Sequence, residues 1–429
     1  MKLFEPKILT AFKNHKPKDY LSDIVAGVIV AIIALPLSIA LAIASGATPE
    51  TGLFTAIIAG FVTALLGGSK VNITGPTAAF ATIVAGIILS QGMDGLFLAT
   101  IMAGIILILM GLLRLGSLIK YIPHTITVGF TSGVALTLVV GQFKDFLGLT
   151  YPEGTVAIET MDKLALVVKH ISTFNPWAFA MGVLGLCILI VWPKISKKIP
   201  GSLVAVLVGA LVCLIPAISA NTIGSLYTIS SALPSFHFPE ITGERILALL
   251  PSAFTIALLA GIESLLSCVV SDNMVNDKHN SNTELIALGT GNLLVGCFGG
   301  IPATGAIART AANVKNGGKS PLAGMVHAVV LLLVLVLLMP LASYIPMPII
   351  AAILFIVAYN MCEWREFVAV VKTKKWNDIL VLVITFVLTV VFDLVKAIAV
   401  GMAVHYAIVL IRKIIEKRKA KQSATEETK

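Results

Sequence analysis

Apolar residues in this chain run together in long blocks separated by short polar breaks, with no sustained alternation of apolar and polar positions. A bilayer's hydrocarbon core is about 30 Å thick, so a crossing α-helix needs about 20 mostly apolar residues. The block at 23–44 meets that length, and a second at 51–66 follows a break at Ser45-Gly46. A short segment then begins at Thr74. Further apolar runs occupy 94–113, 125–147, 174–192, 201–219, 250–271, 284–298, 304–314, 321–344, 347–360, 377–392 and 394–411. The pattern predicts an all-α membrane fold of about fourteen transmembrane segments. Residues 1–22 read as a cytoplasmic N-terminal segment, 23–412 as the transmembrane domain and 413–429 as a charged cytoplasmic tail. No short apolar core with a small-residue cleavage site precedes the first block, so no signal peptide is expected.

Two short segments repeat one another. The first reads Gly67-Gly68-Ser69-Lys70-Val71-Asn72-Ile73-Thr74-Gly75-Pro76-Thr77-Ala78-Ala79. The second reads Gly299-Gly300-Ile301-Pro302-Ala303-Thr304-Gly305-Ala306-Ile307-Ala308-Arg309-Thr310-Ala311. Each has a Gly-Gly break, an extended stretch, a Thr-Gly turn and a short helix of small residues. They fall at segments three and ten, the third of each half. Halves with an odd number of crossings insert in opposite orientations. The chain therefore reads as two inverted seven-segment repeats, with half-helices at segments three and ten pointing to a carrier's binding site.

The first amides of a helix have no internal partner and carry the positive end of its dipole, roughly half a charge. Two such ends facing each other near the midplane suit an anion. The expected donors are the N–H groups of Thr77, Ala78, Ala306 and Ile307. Small residues at Gly75, Ala78, Ala79, Gly305, Ala306 and Ala308 let a ligand approach the backbone, although small residues also serve close helix packing. Arg309, about one turn into the second half-helix, could add a full charge, and its fork matches an oxyanion. The alternative is that it snorkels to the loop near Lys315. Glu263 is the other charge within an apolar run. It reads either as a partner of Arg309 or as a proton site that couples transport, with Ser267 one turn further on the same side.

Composition narrows the class. The chain is 57% hydrophobic and 12% charged, with a mean hydropathy of +0.98. Soluble domains sit near 45–50% apolar and about 25% charged. The net charge of +9 does not indicate nucleic acid, because the bases gather at 2–18, at 412–421 and in short loops. The loops expected to be cytoplasmic hold Arg114, Lys120, Lys194, Lys197, Lys198, Lys278, Lys315, Lys319, Lys372, Lys374 and Lys375, whereas the long loop at 219–245 has only Arg245. That bias places the chain in the cell membrane as a multi-pass protein with both termini cytoplasmic. Lysines at 144–169 run against it, in a long loop where the rule weakens. Cys187, Cys213, Cys268, Cys297 and Cys362 form no C-x-x-C pair and read as small buried hydrophobes. His327 and His405 lie in apolar runs without a second ligand at metal spacing and read as hydrogen-bonded core residues. Asp393 and Lys396 read as solvated turn residues. No motif for a metal, a cofactor or an enzyme nucleophile stands in a fitting context, so none is expected.

Several runs resemble the sulfate permease (SulP) family of anion transporters. In the first repeat these are Asp23-Ile24-Val25-Ala26-Gly27, Leu35-Pro36-Leu37-Ser38-Ile39-Ala40, Ala44-Ser45-Gly46 and Gly52-Leu53-Phe54-Thr55. In the second they are Phe298 to Ala311 and Ala323-Gly324-Met325-Val326-His327-Ala328. The resemblance covers about 23 to 412. It implies a core domain (approximately 23–118 and 250–345) that moves elevator-like against a gate domain (approximately 119–220 and 346–412). It also implies a homodimer, and an anion held at Thr77, Ala78, Gly305, Ala306 and Arg309. Family sulfate carriers commonly have Gln after the first-span proline and an aromatic four residues beyond, where this chain has Leu37 and Leu41. In that respect it looks closer to the bacterial branch that includes bicarbonate carriers. Sodium-driven bicarbonate members have Asp at the position of Glu263, and glutamate there looks more like proton-coupled or uncoupled members. Most members continue into a soluble STAS domain, whereas this sequence stops at Lys429. The expected function is a proton-coupled symporter or exchanger of a small oxyanion, sulfate first, bicarbonate second and a dicarboxylate third, with sodium as the other coupling ion. A passive anion channel and a nucleobase carrier of the same broad fold are the rivals.

Overall fold

Among the described residues, four helices begin with proline, at Pro17, Pro49, Pro176 and Pro321. The first helical position needs no amide hydrogen, and the fixed φ of proline already suits it. The computed structural model describes residues 4–117, 123–152, 155, 157, 159–196, 199–215, 218–391, 397 and 399–411. In chain order its elements are α1 (Ile8–Ala11), α2 (Pro17–Ala44), α3 (Pro49–Leu66), β1 (Thr74–Pro76), α4 (Ala81–Leu112), α5 (His124–Leu147), α6 (Thr160–Lys169), α7 (Pro176–Ile195), α8 (Gly201–Cys213), α9 (Ile223–Leu226), α10 (Gly243–Val275), α11 (Ser281–Cys297), β2 (Ala303–Gly305), α12 (Ile307–Lys315), α13 (Pro321–Leu338), α14 (Met347–Met361), α15 (Trp364–Lys372), α16 (Trp376–Val391) and α17 (Ala399–Ile411).

Among the described residues, eight helical stretches are long and apolar enough to cross a membrane, and α8, α16 and α17 are shorter apolar helices. The expected count of about fourteen is therefore not reproduced by length alone, because half-helices and short helices fall below a full crossing. A 3-10 turn at Ala78–Phe80 leads into α4, which is two helices joined at Gly92, where the backbone is not helical (φ 70°, ψ −175°). The short segment after Thr74 and the run at 94–113 are thus separate helical pieces, as the sequence reading expects. A glycine takes that conformation without a Cβ clash. Asp393 and Lys396 lie outside the described residues.

The chain divides into two compact units. The larger comprises Met1–Ile119, Leu138–Ile158 and Asp162–Ile356. Within it, α2 and α3 pack against β1, and α3, α10 and α11 against β2. Helices α4 and α11 meet through glycines: a Cβ on Gly104 would stand 2.6 Å from the carbonyl oxygen of Gly289. Backbones can approach that closely in a membrane only where side chains are absent. The smaller unit comprises Lys120–Thr137, Glu159–Met161 and Val357–Lys429. There the start of α5 packs on α16 through Gly129 and Gly133, whose added Cβ atoms would meet Leu382 O and Thr389 Cβ at 2.7 Å each.

Strands β1 and β2 pair antiparallel, with Thr74 opposite Gly305, Gly75 opposite Thr304 and Pro76 opposite Ala303. These are the two repeated segments of the sequence. Antiparallel pairing of matching segments is what oppositely inserted halves produce.

Candidate functional site

Extended backbone at membrane depth survives only if its polar groups find partners in the protein or in water. The strand pair and its flanks find them in side chains from three helices. Asn292 of α11 accepts from Ala303 N–H at 2.8 Å and donates to Ala303 O at 3.0 Å. Thr55 of α3 accepts from Ile301 N–H at 2.8 Å, and Asn313 of α12 donates to Val71 O at 2.9 Å. The Thr304 hydroxyl donates to Ala260 O of α10 at 2.8 Å. The strand pair is thereby anchored where the two helix starts follow it.

Thr77 caps the first of these starts, its hydroxyl accepting from Ala79 N–H at 3.4 Å. That half-buried hydroxyl also lies beside the carboxyl of Glu263, itself half-buried on α10. Ala78 is buried. At the second start, the first helical bond runs from Thr310 N–H to Ala306 O at 2.9 Å. The N–H groups of Ile307, Ala308 and Arg309 come before it and have no acceptor within the helix. Ile307 and Ala308 are exposed. Ala306 departs from expectation, because its N–H donates to Ile73 O at 2.9 Å and prolongs the ladder. It is not one of the free donors. Gly305 is closely enclosed: a Cβ there would lie 2.6 Å from Asn72 Nδ2 and 2.8 Å from Ser264 Oγ.

Arg309 is 1% exposed, so it does not snorkel. Its Nη2 donates to Pro76 O at 3.1 Å, while Nε and Nη1 have no hydrogen-bond partner. Among the ion pairs of the described residues, none within 4.0 Å involves Arg309. Glu263 is therefore not its ion-pair partner here, which leaves the reading of that carboxyl as a separate site. The guanidinium fits against β1 because residue 75 is glycine; a Cβ there would overlap Nη1.

Ser267 is fully buried, and its hydroxyl is engaged elsewhere than at Glu263. It lies 2.7 Å from Asn72 Oδ1 and 3.1 Å from Thr310 Oγ1. Thr310 donates to Asn72 Oδ1 at 3.0 Å and accepts from Ile73 N–H at 3.0 Å. Asn72 Nδ2 donates to Glu284 Oε1 at 2.7 Å. The other oxygen of Glu284 accepts from Gly68 and Ser69 N–H at 2.8 and 3.1 Å. This chain of contacts ties the Gly-Gly break, β1, α10, α11 and α12 together directly behind the site. Sequence reasoning missed Asn72, Glu284 and Thr310. Glu284 opens an apolar run and passes for a boundary residue, whereas a polar Asn72 inside the repeated segment was a usable signal. His327 is fully buried as expected, but neither ring nitrogen has a hydrogen-bond partner, so it is not the satisfied core histidine predicted. His405 is half-buried, with its ring edge-on to Tyr406 at 5.5 Å.

Comparisons with known proteins agree on one family. The model of the sulfate permease family matches residues 20–385. YvdB, a candidate sulfate transporter of Bacillus subtilis, is 44% identical over 408 residues, covering 94% of this chain and 76% of that protein. The bicarbonate transporter BicA of Picosynechococcus sp. is 33% identical over 406 residues, covering 91% of this chain and 70% of its own. The solved transmembrane domain of a cyanobacterial BicA superposes with a TM-score of 0.80 at 30% identity, over 90% of this chain and 98% of that one. The murine anion transporter Slc26a9 in an inward-facing state shares the fold at a TM-score of 0.87 and 18% identity, over 96% of this chain and 71% of that one. With a family match across most of its length and the two repeated segments paired at its centre, this multi-pass membrane protein belongs to the sulfate permease family.

Proposed function

We propose that the protein is a secondary active carrier of a small inorganic oxyanion, with sulfate the leading cargo and bicarbonate next. The observation that carries this reading is Arg309, a buried cation with two unpartnered nitrogens and no carboxylate at ion-pair distance. A buried charge is tolerated only when paired, and an ion that binds and leaves is a pairing a carrier can use. Thr77, Ala78, Gly305, Ala306 and Arg309 form the binding surface. The free N–H groups at the start of α12 add the positive end of its dipole. The names of relatives, sulfate and bicarbonate transporters among them, support an oxyanion.

Glu263, half-buried beside Thr77, is the proton site of a symport or exchange cycle, with Ser267 holding the adjacent turn of α10 in place. In this reading the core (23–118 and 250–345) carries the site past the gate (119–220 and 346–412) in a homodimer, with both termini in the cytoplasm. The test is uptake of radiolabelled sulfate and bicarbonate into proteoliposomes, with and without an inward proton gradient. Wild-type protein accumulates one anion when protons run inward. Arg309→Ala abolishes saturable uptake, and uptake by that variant at wild-type affinity defeats the site assignment. Glu263→Gln keeps anion binding and loses proton-driven accumulation. Saturable wild-type exchange indifferent to protons removes Glu263 from the coupling step.

A further inference from the structure

Helix α15 stands apart from its neighbours in sequence. It is set off from the apolar helices α14 and α16 by Glu363 and Lys374, both in the left-handed region (φ 45° and 55°). Neither is a glycine, and such conformations are uncommon for other residues and are held by surrounding structure. The chain thus leaves α14, runs nine residues as α15 and turns again into α16. No residue of α15 is buried.

At 100° per residue the helix has three distinct flanks. Phe367 and Val370 share one, half-buried, with Phe367 edge-on to Phe386 of α16 at 5.6 Å. Trp364, Val368 and Val371 form the next, at i, i+4 and i+7, and are 45%, 38% and 41% exposed. Arg365 and Lys372 border that stripe, the Arg365 guanidinium 5.6 Å from the centre of the Trp364 ring. Lys374, Lys375 and the 81% exposed Trp376 follow directly. Of the acids nearby, Glu366 falls on the flank away from these bases, Glu363 sits in the preceding turn, and Asp378 is in the first turn of α16.

An uncovered apolar stripe between two membrane helices lies within reach of acyl chains. Tryptophans at both ends suit the water–lipid boundary, and long basic side chains beside the stripe reach back to headgroups. We propose that α15 and residues 373–376 form a binding surface for acidic phospholipids, with the stripe in the acyl region and Arg365, Lys372, Lys374 and Lys375 on the headgroup charge. This proposal is independent of the cargo and of the site at Arg309.

The test uses the full chain with Trp177→Phe and Trp192→Phe, which leaves Trp364 and Trp376 of its four tryptophans. It is reconstituted in mixed phosphatidylcholine and phosphatidylglycerol vesicles in which one lipid or the other carries brominated chains, and tryptophan quenching is measured. Brominated phosphatidylglycerol is expected to quench more strongly than brominated phosphatidylcholine, by roughly threefold or more. The preference should shrink as added salt shortens the Debye length from about 10 Å to about 3 Å. It should also be lost in R365Q/K372Q/K374Q/K375Q. Equal quenching by the two lipids at low salt overturns the acidic preference, and no quenching by either overturns the placement of the stripe. The salt comparison needs no charge variant, so poor folding of the fourfold variant leaves the test intact.

Discussion

Gly75 and Arg309 share one space in the centre of the larger unit. A Cβ at position 75 would overlap Nη1 of the guanidinium, while Nη2 of the same group donates to Pro76 O at 3.1 Å. The absence of a side chain at position 75 is what lets a full positive charge lie against β1.

Gly75→Ala should therefore act through Arg309. The obstructing atom is the end of a long side chain, so the head group shifts and the backbone stays. Charge-assisted hydrogen bonds contribute about 1.5–3 kcal/mol, so half-saturating anion concentration should rise about tenfold or more. The melting temperature in detergent should stay close to wild type. Uptake kinetics and a thermal melt on the same preparation check this. Unchanged half-saturation would show that the guanidinium has other room.

Glu284 accepts from two backbone amides and from Asn72 while only 2% exposed. Glu284→Gln replaces one accepting oxygen with a donor and turns an N–H group toward existing donors. A buried donor left without a partner costs about 1–3 kcal/mol, so the melting temperature should drop clearly. Glu366→Gln, on the exposed surface of α15, should leave it unchanged. A Glu284→Gln protein as stable as wild type would mean that the contacts around Asn72 do not hold the strand pair.

Asp277, in the turn between α10 and α11, lies 3.0 Å from Lys70 and 3.2 Å from Lys7. Burial pushes its carboxyl up, but the Lys278 backbone amide and the ammonium groups of Lys70 and Lys7 outweigh that and hold it below its ordinary 3.8. A carboxyl lowered in the folded state adds stability above its unfolded value and loses it as pH falls through the folded one. Wild type should therefore melt above Asp277→Asn at neutral pH. That gap should close as the pH drops below 3.8. Melting curves of both proteins across that range provide the check, and a gap independent of pH would remove the carboxylate from the account.

Length and punctuation made much of this protein legible without coordinates. Apolar blocks long enough to cross a bilayer mark the class, because only helices or closed barrels satisfy the backbone there. The Gly-Gly breaks marked the two interrupted segments, but Thr74-Gly75-Pro76 and Thr304-Gly305, expected as turns that open the half-helices, lie in the paired strands themselves, because strand pairing depends on a partner far along the chain. Arg309 was visible as a charge where charges are rare.

The tertiary structure alone decided which polar atoms are engaged and which are free. Ala306 N–H bonds to Ile73, Ser267 turns to Asn72 and Thr310, and Glu263 stands by Thr77 and not by Arg309. Asn72 and Glu284 meet although 212 residues apart in sequence. Spacing along a helix determines which side a residue occupies, but the atom it meets there is set by how distant segments pack. Hydrogen bonds hold over about 3 Å, and the local pattern of the chain carries no distance of that kind between segments so far apart.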